Sequence, residues 1–220
     1  MNKHTLRLAG ATAMAIVVSA PMSEVFALGF RNADQGAAAT AQGNAFIAQA
    51  DDATAIYYNP AGLTQIQGTD IANGGDLTFP DERLKDGEPG TSMTKVSLTP
   101  HLYGATDFGL RESPWRFGLG VNVLFGNQAV YPQNGLFRYQ ITSANLQVIN
   151  IQPTVAYKFN EHLSLGAGLN VYDASTALNS HSAVAPGLDG HFHFDGDGLA
   201  VGATAGLMWK ITPQHTVGVV

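Results

Sequence analysis

Apolar and polar residues alternate along several stretches of the chain. In the longest of these, the apolar positions run from Leu199 to Ile211, and the residues between them are mostly small or polar. A period of two predicts β-strands. Runs of roughly ten residues exceed the usual strand of about 5–6 residues and match the roughly 9–11 residues that cross a bilayer at a tilt. The pattern predicts antiparallel strands over residues 68–79, 95–106, 115–125, 144–159, 162–173, 198–211 and from 216 onward.

The two faces of the predicted strands differ in a way that is typical of a membrane wall. The polar face is small and uncharged in mid-strand, whereas the apolar face carries aromatic residues near the strand ends, among them Phe117, Phe125 and Trp209. Aromatic residues at the ends of an apolar band are characteristic of membrane interfaces. We therefore predict an all-β fold, a transmembrane antiparallel β-barrel with its apolar face toward lipid. A soluble β-sandwich with that face turned inward is the alternative that periodicity alone leaves open.

Short and long connections alternate between the predicted strands. The short joins are residues 160–161 and 212–215, and the long joins are residues 80–94, 126–143 and 174–197. Outer-membrane barrels have short periplasmic turns and long external loops, so we assign residues 107–114 to a third, longer periplasmic turn. About seven strands are visible, whereas single-chain bacterial barrels have an even number. We therefore expect residues 67–220 to form the first half of a longer barrel, truncated at its C-terminal side.

A targeting segment and a plug precede these strands. Residues 1–27 begin with basic residues, continue with an apolar run and end in small residues, as in a secretory signal peptide that is cut after Ala27. Residues 28–66 are rich in Ala, Gly, Gln and Asn and predict a compact plug. Within the plug we expect a short helix from Ala37 to Ile47. Asp51 and Asp52 are placed to cap a following turn.

The stretch DDATAIYYNPAGL, residues 51–63, resembles the outer-membrane long-chain fatty acid transporter family, which also contains toluene and xylene uptake channels. Further similarity lies in Gly29-Phe30, in Gly36 to Gly43, and in residues 150–158 and 163–169. The resemblance implies a fourteen-stranded barrel, of which these strands are half, with residues 28–66 as a hatch inside the lumen. It also implies that Asn59, Pro60 and Ala61 form the fixed turn of that hatch.

The resemblance further implies passive uptake of hydrophobic small molecules across the bacterial outer membrane. The ligand is expected to be a long-chain fatty acid, with an aromatic hydrocarbon as the alternative. Ligand would be captured at the external loops, bind a lumenal pocket beside the hatch and leave laterally into outer-membrane lipid. We expect a monomeric barrel. The pocket candidates are Leu28, Phe30, Tyr57 and Tyr58, and the loop capture candidates are Tyr131, Leu136, Phe137, Phe192 and Phe194.

The composition of the chain argues against several other functions. The formal net charge of −6 argues against a nucleic-acid partner. The absence of cysteine means that backbone pairing and packing must hold an exported domain together. A general diffusion porin for small polar solutes is the main rival. Its lumen should carry rings of charge, whereas the inner mid-strand positions here are Gly, Ala, Ser, Thr and Asn. A structural or adhesive barrel is a third possibility and predicts no apolar pocket.

Catalytic and metal sites receive weak support from the sequence. Ser164 lies near His162, but no Gly-x-Ser-x-Gly elbow surrounds it, so we predict that the protein is not an enzyme. Alternate residues of one extended stretch, namely His191, His193, Asp195 and Asp197, carry groups that bind divalent ions. The alternative is a solvated external loop with Asp-Gly turns. We expect no cofactor.

Overall fold

The predicted strands form one antiparallel sheet in the computed structural model, which describes residues 31–79, 96–135, 137–185 and 187–220. Its seven strands follow one another in sequence order. They are β1 Thr69–Thr78, β2 Ser97–Thr106, β3 Trp115–Val130, β4 Ser143–Lys158, β5 Leu163–Ala185, β6 Leu188–Thr212 and β7 His215–Val219. β3 through β6 all contact the same short helix of the N-terminal segment, so the sheet curves around that segment as part of a barrel wall.

The two faces of the sheet are occupied as the alternation predicts. Leu119, Leu169 and Val201 are exposed on the outer face, whereas Asn150 and Gln152 are buried on the inner face. This outward apolar band belongs against lipid. The β-sandwich alternative, in which the same face would be buried, is not the observed fold.

Residues 31–66, which we call the inner segment, lie against the inner face of the sheet. They contain helix α1 Ala37–Ala41, helix α2 Ala55–Tyr58 and a 3₁₀ helix Pro60–Gln65. Phe46, Ile56 and Leu63 of this segment are fully buried and share one apolar cluster with Tyr103 and Met208 of the wall. The core of the molecule therefore lies inside the curved sheet.

The helix predicted from Ala37 to Ile47 is shorter than expected and ends at Ala41. Gly43 and Asn44 adopt left-handed backbone angles, with φ of 62° and 64°. Glycine and asparagine are the residues that most readily end a helix in this way. The prediction overlooked this stop signal because the residues after it are again small and apolar.

Some predicted features lie outside the described residues, namely the signal peptide at residues 1–27, the pocket candidates Leu28 and Phe30, and the whole of the predicted loop at residues 80–94. Within the described part of the chain, no helix has both the length and the apolar character needed to cross a bilayer.

The alternation of β3 breaks near its middle. We expected Val123 and Phe125 to continue the outward face of Val121, but the register against β4 shifts between Val123 and Phe125. Val123 and Leu124 are both buried. This is a β-bulge, in which one additional residue bends the strand and interrupts its ladder. Beyond the bulge Phe125 pairs with Val148, which lies on the same face of β4 as the inward Asn150, so the assignment of Phe125 to the outer face was wrong.

Two predicted loops are largely β-structure. Residues 174–197 were expected to form a long loop, but β5 and β6 remain paired from Ala174↔Gly198 to Ala185↔Leu188. Likewise β3 extends to Val130 and β4 begins at Ser143, which shortens the predicted loop at residues 126–143. Alternation of apolar and polar residues is imposed only where one face touches lipid. Strand ends that project beyond the bilayer therefore lack the pattern used to recognise them.

Candidate functional site

The Asn-Pro-Ala turn is the point where the inner segment attaches to the barrel wall. The side chain of Asn59 is completely buried. Its Oδ1 accepts from the backbone N–H of Ala61 at 3.1 Å, which closes the turn. Its Nδ2 donates to the carbonyl of Ile47 at 2.9 Å and to the carbonyl of Leu207 at 3.1 Å. One amide thus joins the turn, a neighbouring loop of the inner segment and strand β6.

Two glycines of the wall make room for this turn. Gly166 of β5 and Gly206 of β6 are direct cross-strand partners. A Cβ atom on Gly206 would overlap Asn59 Oδ1, and one on Gly166 would overlap the backbone of Pro60 and Ala61. Only glycine therefore permits the turn to lie this close to the sheet. We call this pair the glycine floor.

The two tyrosines of the motif have different surroundings. The hydroxyl of Tyr58 accepts from the backbone N–H of Gln35 at 3.0 Å and lies 2.9 Å from both the carbonyl of Ala33 and Asn44 Oδ1. Burial raises the pKa of Tyr58 to about 12, so it stays protonated at neutral pH. Tyr58 is thus held within the inner segment and has a structural role.

Tyr57 is more accessible. Its ring is only partly buried, and the guanidinium carbon of Arg31 lies 4.8 Å from the ring centroid. Burial raises the pKa of Tyr57, and the adjacent charge of Arg31 opposes that rise. Of the two, Tyr57 is the pocket candidate that is not fully buried.

A second attachment connects the start of the inner segment to the bulge of β3. The backbone N–H of Asn32 donates to the carbonyl of Leu124 at 2.7 Å, and Gln35 Nε2 donates to the carbonyl of Val123 at 3.3 Å. The bulge thus frees two wall carbonyls for the inner segment. Sequence reasoning missed this contact. The signal was present as the three consecutive apolar residues from Val123 to Phe125, which break the alternation.

The end of the inner segment is fixed by charged groups. Arg116 Nε donates to the carbonyl of Ile66 at 2.8 Å. At the turn after β2, Asp107 accepts from the backbone N–H groups of Gly68 at 2.9 Å and Gly109 at 2.8 Å. These hydrogen bonds lower the pKa of Asp107 and keep the carboxylate ionised. Together they set the point at which the chain leaves the lumen and enters β1.

The residues predicted to capture ligand at the external loops lie in two separate places. The rings of Tyr131 and Phe137 pack at 5.8 Å in the loop between β3 and β4, and Leu136 lies outside the described residues. Phe192 and Phe194 are about half exposed on the extension of β6. Their positions in the alternation place them on the side that continues the inner face of the wall.

The residues that the sequence weakly suggested as metal ligands lie at alternate positions in the N-terminal part of β6, on the face opposite Phe192 and Phe194. They are His191, His193, Asp195 and Asp197. His193 pairs with Asp195 and also contacts Asn179 Oδ1 at 2.6 Å. Within the described ranges, no group of three His, Cys, Asp or Glu side chains is placed to hold a metal ion.

Ser164 does not form a catalytic pair with its neighbour His162. The hydroxyl of Thr64 donates to Ser164 Oγ at 2.8 Å, and Nδ1 of His162 donates to the carbonyl of Lys210 at 2.9 Å. Ser164 therefore serves as another contact between the wall and the inner segment.

Comparisons with known proteins agree with this architecture. A family model described as outer membrane protein transport protein (OMPP1/FadL/TodX) matches residues 16–220. The crystal structure of a Pseudomonas aeruginosa FadL homologue superimposes with a TM-score of 0.67 at 19% identity and covers 86% of this chain and 51% of that one. The Ralstonia pickettii toluene transporter TbuX gives a TM-score of 0.66 at 18% identity and covers 85% and 56%.

A curated relative from Neisseria meningitidis serogroup B, named as an outer membrane protein, is 30% identical over 131 residues, which is 54% of this chain and 28% of the relative. The chain therefore spans about half the length of the solved relatives. The predicted fold, a partial transmembrane antiparallel barrel with an N-terminal segment inside it, and the predicted outer-membrane location are confirmed. The chain belongs to the OMPP1/FadL/TodX family of outer membrane transport proteins.

Proposed function

We propose that this protein is a passive outer-membrane uptake channel for hydrophobic compounds. The observation that carries the proposal is the attachment of the inner segment to the glycine floor inside a wall whose outer face is apolar. A lumen filled in this way suits selective passage better than the open, charge-lined pore of a general diffusion porin. The match to a family of transport proteins argues for the same class and against an enzyme.

We propose two classes of hydrophobic ligand. Long-chain fatty acids and aromatic hydrocarbons are both supported, since a FadL homologue and a toluene transporter superimpose on this chain about equally well. The partners are thus hydrophobic small molecules and outer-membrane lipid. We propose a signal peptide at residues 1–27, a hatch at residues 28–66 and a barrel wall from residue 67 onward, which acts as a monomer.

The proposed path begins at the outer loops. Phe192 and Phe194 offer an apolar surface on the inward side of the extension, and Tyr131 and Phe137 offer another in the neighbouring loop. Ligand then reaches the inner segment near Tyr57, whose ring is only partly buried. The way out is a lateral opening beside the bulge of β3, where the wall bonds to Asn32 instead of continuing its ladder.

Uptake into liposomes tests the proposal. The protein, isolated from outer membranes and reconstituted, is supplied with labelled oleate, toluene or a disaccharide. We expect oleate, toluene or both to enter faster than into empty liposomes, and the disaccharide to enter no faster. Entry of the disaccharide alone would favour the porin, and entry of none would favour a structural barrel.

A further inference from the structure

A groove of about 670 Å³ lies on the outer face of the wall, close to the short turn between β4 and β5. We call it the outer groove. Ala167 of β5 and Ala205 of β6, which are direct cross-strand partners, form its floor. Larger outward side chains form its sides, namely Trp115, Val155, Tyr157, Phe159 and Leu165. Because this face of an outer-membrane barrel is turned away from the inner segment, the groove opens toward lipid.

The wall beneath the outer groove carries small residues on both faces. On the inner face, the Asn-Pro-Ala turn explains the glycine floor, since it leaves no room for a Cβ on Gly166 or Gly206. The adjacent Ala167 and Ala205 point away from that turn, so it does not require them to be small. Except for Ala203, the other outward positions of β6 from residue 199 onward are large, namely Leu199, Val201, Leu207, Trp209 and Ile211. The reason for the two alanines therefore lies on the lipid side.

Aromatic rings border the outer groove at its periplasmic end. Tyr157 packs edge-to-face against Trp115, with ring centroids 4.6 Å apart, and against Phe159 at 4.8 Å. Trp115 and Phe159 are about half exposed, as in the aromatic girdle of a barrel at the membrane interface. From Phe159 to Val155, β4 covers about 13 Å at about 3.3 Å per residue. One leaflet holds about 15 Å of hydrocarbon, so the groove spans most of the periplasmic leaflet.

We propose that the outer groove binds one acyl chain of a phospholipid in the periplasmic leaflet. Its apolar lining and its position in the membrane favour a hydrocarbon occupant, and its aromatic border lies where the headgroup of such a lipid would be. The sheet curves around the inner segment, so its outer face is convex. The convex wall of a second copy would rest on the aromatic border and leave the floor empty, whereas a flexible chain can follow the floor.

Close packing is what distinguishes a bound chain from the surrounding lipid. An apolar surface gains no hydrophobic driving force from contact with lipid, so a chain is retained only through van der Waals contacts with the groove. A leucine side chain at Ala205 would fill the floor and exclude the chain from it. The loss of about ten carbon–carbon contacts corresponds to about a tenfold loss of binding.

Native mass spectrometry tests whether a phospholipid is retained. The protein, isolated from outer membranes, is reconstituted with palmitoyl-oleoyl phosphatidylethanolamine and extracted with a mild detergent. We expect the unaltered protein to retain one phospholipid, and Ala205→Leu to lower the retained fraction about tenfold. Ala167→Leu fills the same floor and should act in the same direction. Gly104→Leu is the matched control, because Gly104 is also outward, on β2, and a Cβ there would meet no atom within 4 Å. It should retain the phospholipid.

Three results would overturn the proposed lipid site. The first is that the unaltered protein retains no phospholipid. The second is that both alanine variants retain as much of it as the Gly104 variant does. The third is that the retained mass is that of a free fatty acid or of a second copy of the protein. Heat-dependent migration in electrophoresis shows that each variant is folded, and either alanine variant alone decides the outcome if the other fails to fold. The proposed uptake does not depend on any of these results.

Discussion

Replacing Gly206 with alanine tests whether the glycine floor holds the inner segment. The new Cβ would occupy the position of Asn59 Oδ1 and would lie 3.0 Å from Pro60 Cδ. Asn59 must then leave its site and lose its hydrogen bonds to Ala61, Ile47 and Leu207. At about 0.5–1.5 kcal/mol each, these bonds amount to about 2–4 kcal/mol. Overpacking gives an independent figure of about 1–3 kcal/mol.

The measurable quantity is the free energy of local opening of the inner segment. If this free energy falls by about 2–3 kcal/mol, amide hydrogen exchange over residues 55–66 should accelerate about 30- to 150-fold. Mass spectrometry of the purified protein in detergent resolves these peptides from those of β5. Gly198→Ala is the matched control, because it is in the same strand and its Cβ would meet no atom within 4 Å. Unchanged exchange over residues 55–66 in the Gly206 variant would refute the idea that the floor anchors the turn.

Three further changes probe other parts of the site. Arg116→Lys removes the fork that holds the carbonyl at the end of the inner segment, and should lower the free energy of unfolding by about 1–3 kcal/mol, measured by urea denaturation. Asp107 has a pKa below its usual 3.8, so its stabilisation is complete above that pH and is lost as the pH falls through the lower folded value. Asp107→Asn should therefore flatten the acid limb of a pH–melting-temperature profile, and an unaltered limb would contradict this. Phe192→Ser with Phe194→Ser should raise the half-saturating concentration of oleate or toluene uptake about three- to tenfold, since two apolar rings are lost. His191→Ser, on the opposite side of the same strand, should leave it unchanged, and equal effects would remove the case for capture by the phenylalanines.

The sequence predicted the lipid-facing part of the fold well, and the reason is physical. Contact with lipid on one side imposes alternation of apolar and polar residues. The positions of β2, β4 and the C-terminal half of β6, from residue 198 onward, could therefore be predicted within a few residues. Beyond the bilayer that constraint ends, and the paired extension from Ala174 to Gly198 carries Asp-Gly pairs that are typical of turns. The bulge of β3 was missed for a related reason. One additional residue exchanges the inward and outward positions of the residues that follow it, but the stretch remains as apolar as before.

The contacts between the wall and the inner segment were less predictable. Abundant glycine indicated strands that pack closely, but Gly198, Gly202 and Gly206 look alike in sequence. Only in the fold does Gly206 lie beneath Asn59 while a Cβ on Gly198 would meet open space. Which strand glycine faces which part of the plug depends on barrel curvature and register. Neither is fixed by a local pattern, whereas the Asn-Pro-Ala turn is local and could be identified.

The two attachments of the inner segment differ in burial, which indicates where a hatch would move. At the turn, Asn59 is fully buried, makes bonds of 2.9–3.1 Å and lies on the glycine floor. At the bulge, the backbone of Asn32 bonds to the wall at 2.7 Å, its side chain bonds to Thr99 at 2.8 Å and to Asp76 at 3.2 Å, and Gln35 bonds to the carbonyl of Val123 at 3.3 Å and to the hydroxyl of Tyr103 at 2.9 Å. Asn32 is nevertheless only half-buried, and its neighbour Ala33 is exposed. Opening free energies rise with burial, so the start of the segment should open before the turn does. A ligand that displaces Asn32 would therefore open the lumen at the bulge while the Asn-Pro-Ala turn keeps the segment inside the barrel.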